Sequence, residues 1–170
     1  KKYPETFEPG LPDEVVYIGP HGMTDAIEVD GVQTTVGKLL LSPTRTFAPV
    51  IKVLLEAHFE AINGLIHCSG GGQTKCLKYV PDQVKIIKDH LFTPPVIFDI
   101  IQKASGADAR EMYQVFNMGT RLEIYTNEKD ADAIIGVATA LGVDARVIGR
   151  VEASEQQALE IHTDSGKILF

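Results

Sequence analysis

The chain has 170 residues, 16 Lys+Arg against 23 Asp+Glu, a formal net charge of −7, 44% hydrophobic and 23% charged residues. These ordinary globular values exclude a collagen, a coiled coil and a disordered chain. The acidity argues against nucleic acid as a partner, because a general nucleic-acid binder needs a basic field.

Residues 1–13 hold Pro4, Pro9, Gly10 and Pro12 and read as an extended lead-in. Val15-Val16-Tyr17-Ile18 is a short strand candidate, and 21–37 is an irregular stretch with room for a short hairpin. Lys38–Leu41 is apolar and reads as a strand that stops before Pro43. Phe47–Ile62 carries an apolar stripe (Val50, Leu54, Ala57, Ala61) at helical spacing, broadened by Ile51, Leu55 and Phe59. Asn63-Gly64 reads as its terminus. Leu65–Cys68 is a buried strand candidate, and Ser69-Gly70-Gly71-Gly72 leads into a short helix from Gln73 toward Val80. Val84–Lys88 is another strand. Thr93-Pro94-Pro95 opens a helix that ends at Ser105-Gly106. Asp108 and Glu111 have the spacing of a capping box. Arg121–Tyr125 alternates, with Leu122 and Ile124 on one side, and so reads as a strand with one wet face. Asn127 starts a helix ending near Gly142, Ala145–Val151 is a strand, and 159–170 is a hairpin around Thr163-Asp164-Ser165-Gly166. The expected fold is one α/β (α+β) domain, with helices packed on a mixed, largely antiparallel sheet.

No apolar run approaches the roughly 20 residues of a membrane helix, and no leader peptide is visible, so the expected place is the cytoplasm, with no membrane partner. Charge is uneven: residues 1–30 hold seven acids and two lysines, leaving a net charge of only −2 for the rest. Cys68 and Cys76 make no disulfide framework and have no partners at zinc-ligand spacing, so no metal ligands are assigned.

The strongest local signal is the strand–glycine–helix passage at 65–73. Bare backbone amides next to a helix start suit a phosphate, although the same glycines also suit a plain turn. No Gly-Lys-Ser/Thr follows, so this is no Walker loop. His67 beside the turn suits ligand contact or proton exchange, or simply a strand-end histidine. Arg45 suits a phosphate or carboxylate, or a surface ion pair. Thr44 reads equally as a helix cap, Glu111 as a capping-box acid, and Asn117 as a helix-ending residue.

Four segments occur in one order: Leu41-Ser42-Pro43-Thr44-Arg45, His67-Cys68-Ser69-Gly70-Gly71-Gly72, Glu111-Met112-Tyr113-Gln114-Val115-Phe116-Asn117-Met118-Gly119 and Val147-Ile148-Gly149-Arg150-Val151. Together they resemble the C-terminal half of the phosphoribosylformylglycinamidine cyclo-ligase (aminoimidazole ribonucleotide synthetase) family, from about Leu39 onward. The resemblance implies 1–37 as a divergent lead-in and 38–170 as that C-terminal domain. It implies a ligase of purine biosynthesis that converts formylglycinamidine ribonucleotide to aminoimidazole ribonucleotide with ATP and Mg2+. The family's ATP-binding and dimerising N-terminal half is missing. This chain is therefore expected to be an excised domain, inactive alone and holding neither cofactor tightly, whose partners are ribonucleotide, ATP, its own N-terminal half and a second copy of the full-length protein. Carried over by position, Ser69, Gly70, Gly71 and Gly72 form a phosphate cradle. His67 is the catalytic candidate, and Thr44, Arg45, Glu111 and Asn117 line the same cleft. After the glycines, Lys75, Cys76, Lys78 and Tyr79 depart from the usual family pattern of an acid, an asparagine and Pro-Arg. That departure leaves two other readings open: a related enzyme of thiamine-monophosphate kinase or selenophosphate synthetase type, or a non-catalytic nucleotide-binding module.

Overall fold

The computed structural model describes residues 9–12, 19–43 and 45–170. The strand expected at Val15–Ile18 and the candidate Thr44 lie outside the described residues.

Strands β1 (Ala26–Val29) and β2 (Val32–Thr35) form the short hairpin allowed for in 21–37. Its turn has Asp30 at φ 52 and Gly31 at φ 77, the left-handed pair that matches hairpin twist. The following apolar run is not a strand. It belongs to a one-turn helix, α1 (Val36–Leu40), because Thr35 accepts a hydrogen bond from the Lys38 amide and so caps it. Helix α2 (Ala48–Ala57) is shorter than its apolar pattern; a 3₁₀ turn at Phe59–Ala61 follows. Asn63-Gly64 does not terminate a helix. Both residues lie inside β3 (Ile62–His67), where the register to β5 shifts at a bulge between Ile62 and Gly64.

Past the glycine turn, a 3₁₀ helix covers Gly72–Lys78, followed by β4 (Val84–Lys88). Helix α3 (Val96–Ser105) starts after Pro95 with no side-chain cap from Thr93, and ends on Gly106 at φ 72. Helix α4 (Ala109–Val115) is capped as its sequence predicts, the Asp108 carboxylate accepting from the Glu111 amide at 2.8 Å. Strand β5 (Leu122–Thr126), helix α5 (Glu128–Ala140), β6 (Arg150–Ala153), β7 (Ala158–Thr163) and β8 (Gly166–Leu169) complete the described elements. The strand expected from Ala145 begins only at Arg150, where pairing with Ile87 starts.

Among the described residues, two separate sheets carry the domain core: β3–β5, and a four-stranded sheet in the order β6–β4–β7–β8. Among the described pairs β4–β7 is parallel and the others are antiparallel. Val50 and Leu54 of α2 meet Ile134 and Ala138 of α5 over Ile62 and Ile124, on one face of β3–β5. A larger core (Cys76, Ile86, Met112, Tyr113, Met118, Leu159, Ile161) fills the space between the glycine-turn helix, α4 and the four-stranded sheet. The result is the layered, mixed and largely antiparallel α/β fold that the sequence pattern implies. One expectation fails within it: Glu123, on the supposedly wet side of β5, is only 4% exposed.

Register puts Lys85, Glu160, His162 and Lys167 on the opposite, outer face of the four-stranded sheet. Glu160 accepts from Lys167 at 2.8 Å and Lys85 at 2.5 Å, and meets His162 at 2.6 Å. These bonds, Lys167 first, hold its carboxyl far below the ordinary value of 4.5. A depressed folded-state value means stability that is present above about pH 4.5 and fades as pH falls below it. Glu160→Gln is therefore expected to flatten the acid limb of stability. Urea midpoints at pH 7 and pH 3 test this; an equal drop in both proteins contradicts it.

Candidate functional site

The sequence of β3 delivers its C-terminal end to the glycine turn. Cys68 N–H donates to Arg121 O at 2.7 Å, so 68/121 is a hydrogen-bonded pair across β3 and β5. By the alternation of antiparallel ladders, the main-chain groups of Leu65 and His67 then point away from β5. His67 O accepts from Ser69 N–H at 2.8 Å and from the Lys75 ammonium at 3.0 Å; Ser69 Oγ also accepts from Lys75 at 3.0 Å. Lys75 thus reaches back across the turn and brings its cation to it.

The three glycines differ. Gly72 has φ 49, and a Cβ there would lie 2.5 Å from Phe116 O and 2.7 Å from Tyr113 O, so the end of α4 permits only glycine. Gly71 has φ 93 with ordinary spacing to Lys75. Gly70 is required by neither backbone angle nor packing, and nothing lies within 4 Å of its missing side chain. Among the described residues, the Gly70 and Gly71 amides donate to no protein acceptor. Two bare N–H groups on an exposed turn with an ammonium alongside suit an anion chemically.

The turn rests on a buried polar network that sequence reasoning missed. Gln73 is fully buried, and its Nε2 donates to Asn117 O at 2.6 Å and Thr120 O at 3.0 Å. Lys88 is 2% exposed; its ammonium donates to Gln73 O at 2.8 Å, Gln73 Oε1 at 3.0 Å and Glu123 Oε1 at 2.5 Å. A lysine has three protons to donate, and all are used. Glu123 also accepts from the Cys68 thiol at 3.2 Å and the Tyr125 hydroxyl at 2.8 Å. Burial, then the Glu123 charge, pushes both the Cys68 thiol and the Tyr125 hydroxyl well above their usual ranges. Burial likewise raises Cys76. Both cysteines are free and buried, surroundings that disfavour the thiolate a nucleophile needs. One signal of this network was readable: Lys88 alternates in phase with Ile86, so the strand pattern aims it at the core.

The other predicted residues fall around this centre unequally. His67 is exposed, and its ring lies edge-on to Phe47 at 6.2 Å between centroids. That contact brings the start of α2, two residues past Arg45, beside the glycine turn. Arg45 itself is exposed, without an ion pair among the described residues. Asn117 Oδ1 accepts from Gly119 N–H at 2.9 Å and so closes its own turn; only its main chain reaches Gln73. Glu111 is exposed in the first turn of α4, and no bond among the described residues links its carboxylate to the glycines. A groove of about 460 Å³ runs along β3, lined by Asn63, Gly64, Leu65, Ile66, His67, Lys75 and Tyr79.

Residues 12–162 match the family described as AIR synthase related protein, C-terminal domain. The chain belongs to that family. It is 33% identical over 130 residues to a phosphoribosylformylglycinamidine cyclo-ligase of Syntrophus aciditrophicus, covering 75% of this chain and 37% of that protein. It is 32% identical over 150 residues to that of Methanopyrus kandleri (88% and 38%), and 37% identical over 118 residues to that of Methanocaldococcus jannaschii (69% and 33%). This AIR synthase-related domain therefore spans well under half the length of these relatives. Among solved structures it is similar to E. coli HypE, a hydrogenase maturation protein, with a TM-score of 0.54 at 19% identity, over 80% of this chain and 44% of that one. That likeness supports the shared fold. No helix among the described residues is long and apolar enough to cross a membrane.

Proposed function

We propose that this chain is the substrate-phosphate-binding domain of a phosphoribosylformylglycinamidine cyclo-ligase acting in the cytoplasm. On this reading, ATP phosphorylates the formyl oxygen of formylglycinamidine ribonucleotide, an amidine nitrogen of the same molecule attacks that carbon, and phosphate leaves as the imidazole ring closes. The observation that carries the reading is the pair of free amides at Gly70 and Gly71, preformed by the Gln73–Lys88–Glu123 network and flanked by the Lys75 ammonium. Such a cradle takes the ribose phosphate, and holding that end orients the reactive arm. Orientation of this kind supplies a large part of a cyclisation barrier.

Among the described residues no group of three His, Cys, Asp or Glu side chains could hold a metal ion. The cradle itself offers amides and an ammonium and no carboxylate, a donor set that suits an anion and not Mg2+. ATP, Mg2+ and the dimer contacts belong, on this reading, to the part of the relatives that this chain does not span. The domain alone is then expected to bind ribose phosphate without turning over ATP.

Gly70→Val tests the cradle cleanly, because its side chain enters open space without forcing the backbone. Calorimetric titration with ribose 5-phosphate is expected to show at least a tenfold loss of affinity, with an unchanged thermal midpoint. Equal affinity in the two proteins would sink the cradle.

A further inference from the structure

Beside the phosphate cradle, one edge of β3 carries no strand among the described residues. β3 and β5 are the only strands of their sheet among the described residues, and the Leu65 N–H and C=O face away from β5. This edge forms a wall of the 460 Å³ groove, within the size range of small-ligand sites. Lys75 belongs to both features: it lines the groove and its ammonium bonds Ser69 Oγ of the turn. Lys75 therefore stands between the groove and the cradle.

Resting on the function proposed above, we infer that the free edge of β3 binds the formylglycinamidine arm of the ribonucleotide as a one-residue strand, through the Leu65 main chain. The arm is chemically a short peptide: a formamide carbonyl and N–H, one methylene, then an amidine. An exposed strand edge recognises such a group with paired main-chain hydrogen bonds. In this arrangement the Leu65 N–H donates to the formyl oxygen and the Leu65 C=O accepts from the amidine N–H that carries the ribose, the two groups an extended arm presents on one side in a parallel pairing. The lengths agree. Leu65 lies about 7 Å before His67 along a strand, and the His67 carbonyl is 3.0 Å from the Lys75 ammonium at the turn. The arm with its ribose phosphate is about as long as three extended residues, roughly 10 Å. Gly64 has no left-handed φ, and its missing Cβ would meet Tyr125 only at an ordinary 3.8 Å; a glycine inside a strand commonly marks a bulge or the close approach of a ligand. Tyr79, 65% exposed, offers an aromatic surface on the groove.

The test is an amide-resolved NMR titration of the 170-residue chain with two probes. Ribose 5-phosphate lacks the arm; formylglycinamide ribonucleotide carries it with oxygen in place of the amidine nitrogen. The expected result is that both probes shift Gly70 and Gly71, and only the second shifts Gly64–His67. If the second probe shifts the turn amides and leaves Leu65 unmoved, the edge inference is overturned while the cradle stands. If neither probe moves the turn amides, the cradle fails and the edge inference falls with it. Leu65→Pro removes the outward donor but keeps the 64 and 66 bonds to β5. It is expected to weaken the second probe about tenfold and leave the first unchanged; equal weakening of both counts against the inference. Should the proline variant not fold, the shift map of the unaltered chain decides.

Discussion

Lys88→Met is expected to destabilise the domain by about 3–5 kcal/mol, the usual consequence of removing one partner from a buried ion pair. The Lys88 ammonium is the link between β4 and the Glu123 carboxylate of β5, strands of two sheets that share no ladder. Without it, Glu123 keeps only the Cys68 thiol and the Tyr125 hydroxyl, and both oxygens of Gln73 lose a donor. The double variant Lys88→Met/Glu123→Gln is expected to recover part of the loss, because the uncompensated charge is gone. Urea denaturation of both singles and the double measures this as a mutant cycle. A single variant within 1 kcal/mol of the parent would show that the pair holds nothing together.

Alanine replacements along the glycine run are expected to rise steeply in cost. Gly70→Ala stays within about 0.5 kcal/mol, as surface changes do. Gly71→Ala costs about 1–2 kcal/mol, the penalty of a left-handed residue with a Cβ at φ 93. Gly72→Ala costs about 3–5 kcal/mol, adding to that penalty a clash with the carbonyls of Phe116 and Tyr113, which are backbone and cannot step aside. Denaturation midpoints of the three variants check the order. A flat series would mean that α4 does not press on the turn. Phosphate affinity should run the other way: Gly70 carries the least structural duty and the most ligand access.

The sequence signals that held are those whose physics is local. Gly106 ends α3 because a left-handed residue was needed there, and Asp108 caps α4 through an amide three residues away. The strand–glycine–helix passage was visible for the same reason. Asp30-Gly31 sits at the tip of the short hairpin that the irregular stretch had room for. Misreadings came where local patterns compete. Lys38–Leu41 is too short for periodicity to separate helix from strand, and the Thr35 cap decided it. Asn63-Gly64 has the composition of a helix stop, but pairing with β5 absorbed it as a bulge. For Glu111 and Asn117 the structure adds only that one stands exposed and the other closes its own turn.

Family membership, the layered class and the place of the anion-suited turn can all be written from residue order, since each is read from short local segments and the order in which they follow one another. The shape of the site cannot. Lys88 and Glu123 lie 35 positions apart, and Gln73 and Thr120 lie 47 apart. No alternation pattern says that a lysine in one sheet will meet a glutamate in another, or that the C-terminal end of α4 will fill the place of a side chain at residue 72. A buried charge is tolerable only when a distant partner arrives to neutralise it, and folding alone brings that partner within 2.5 Å.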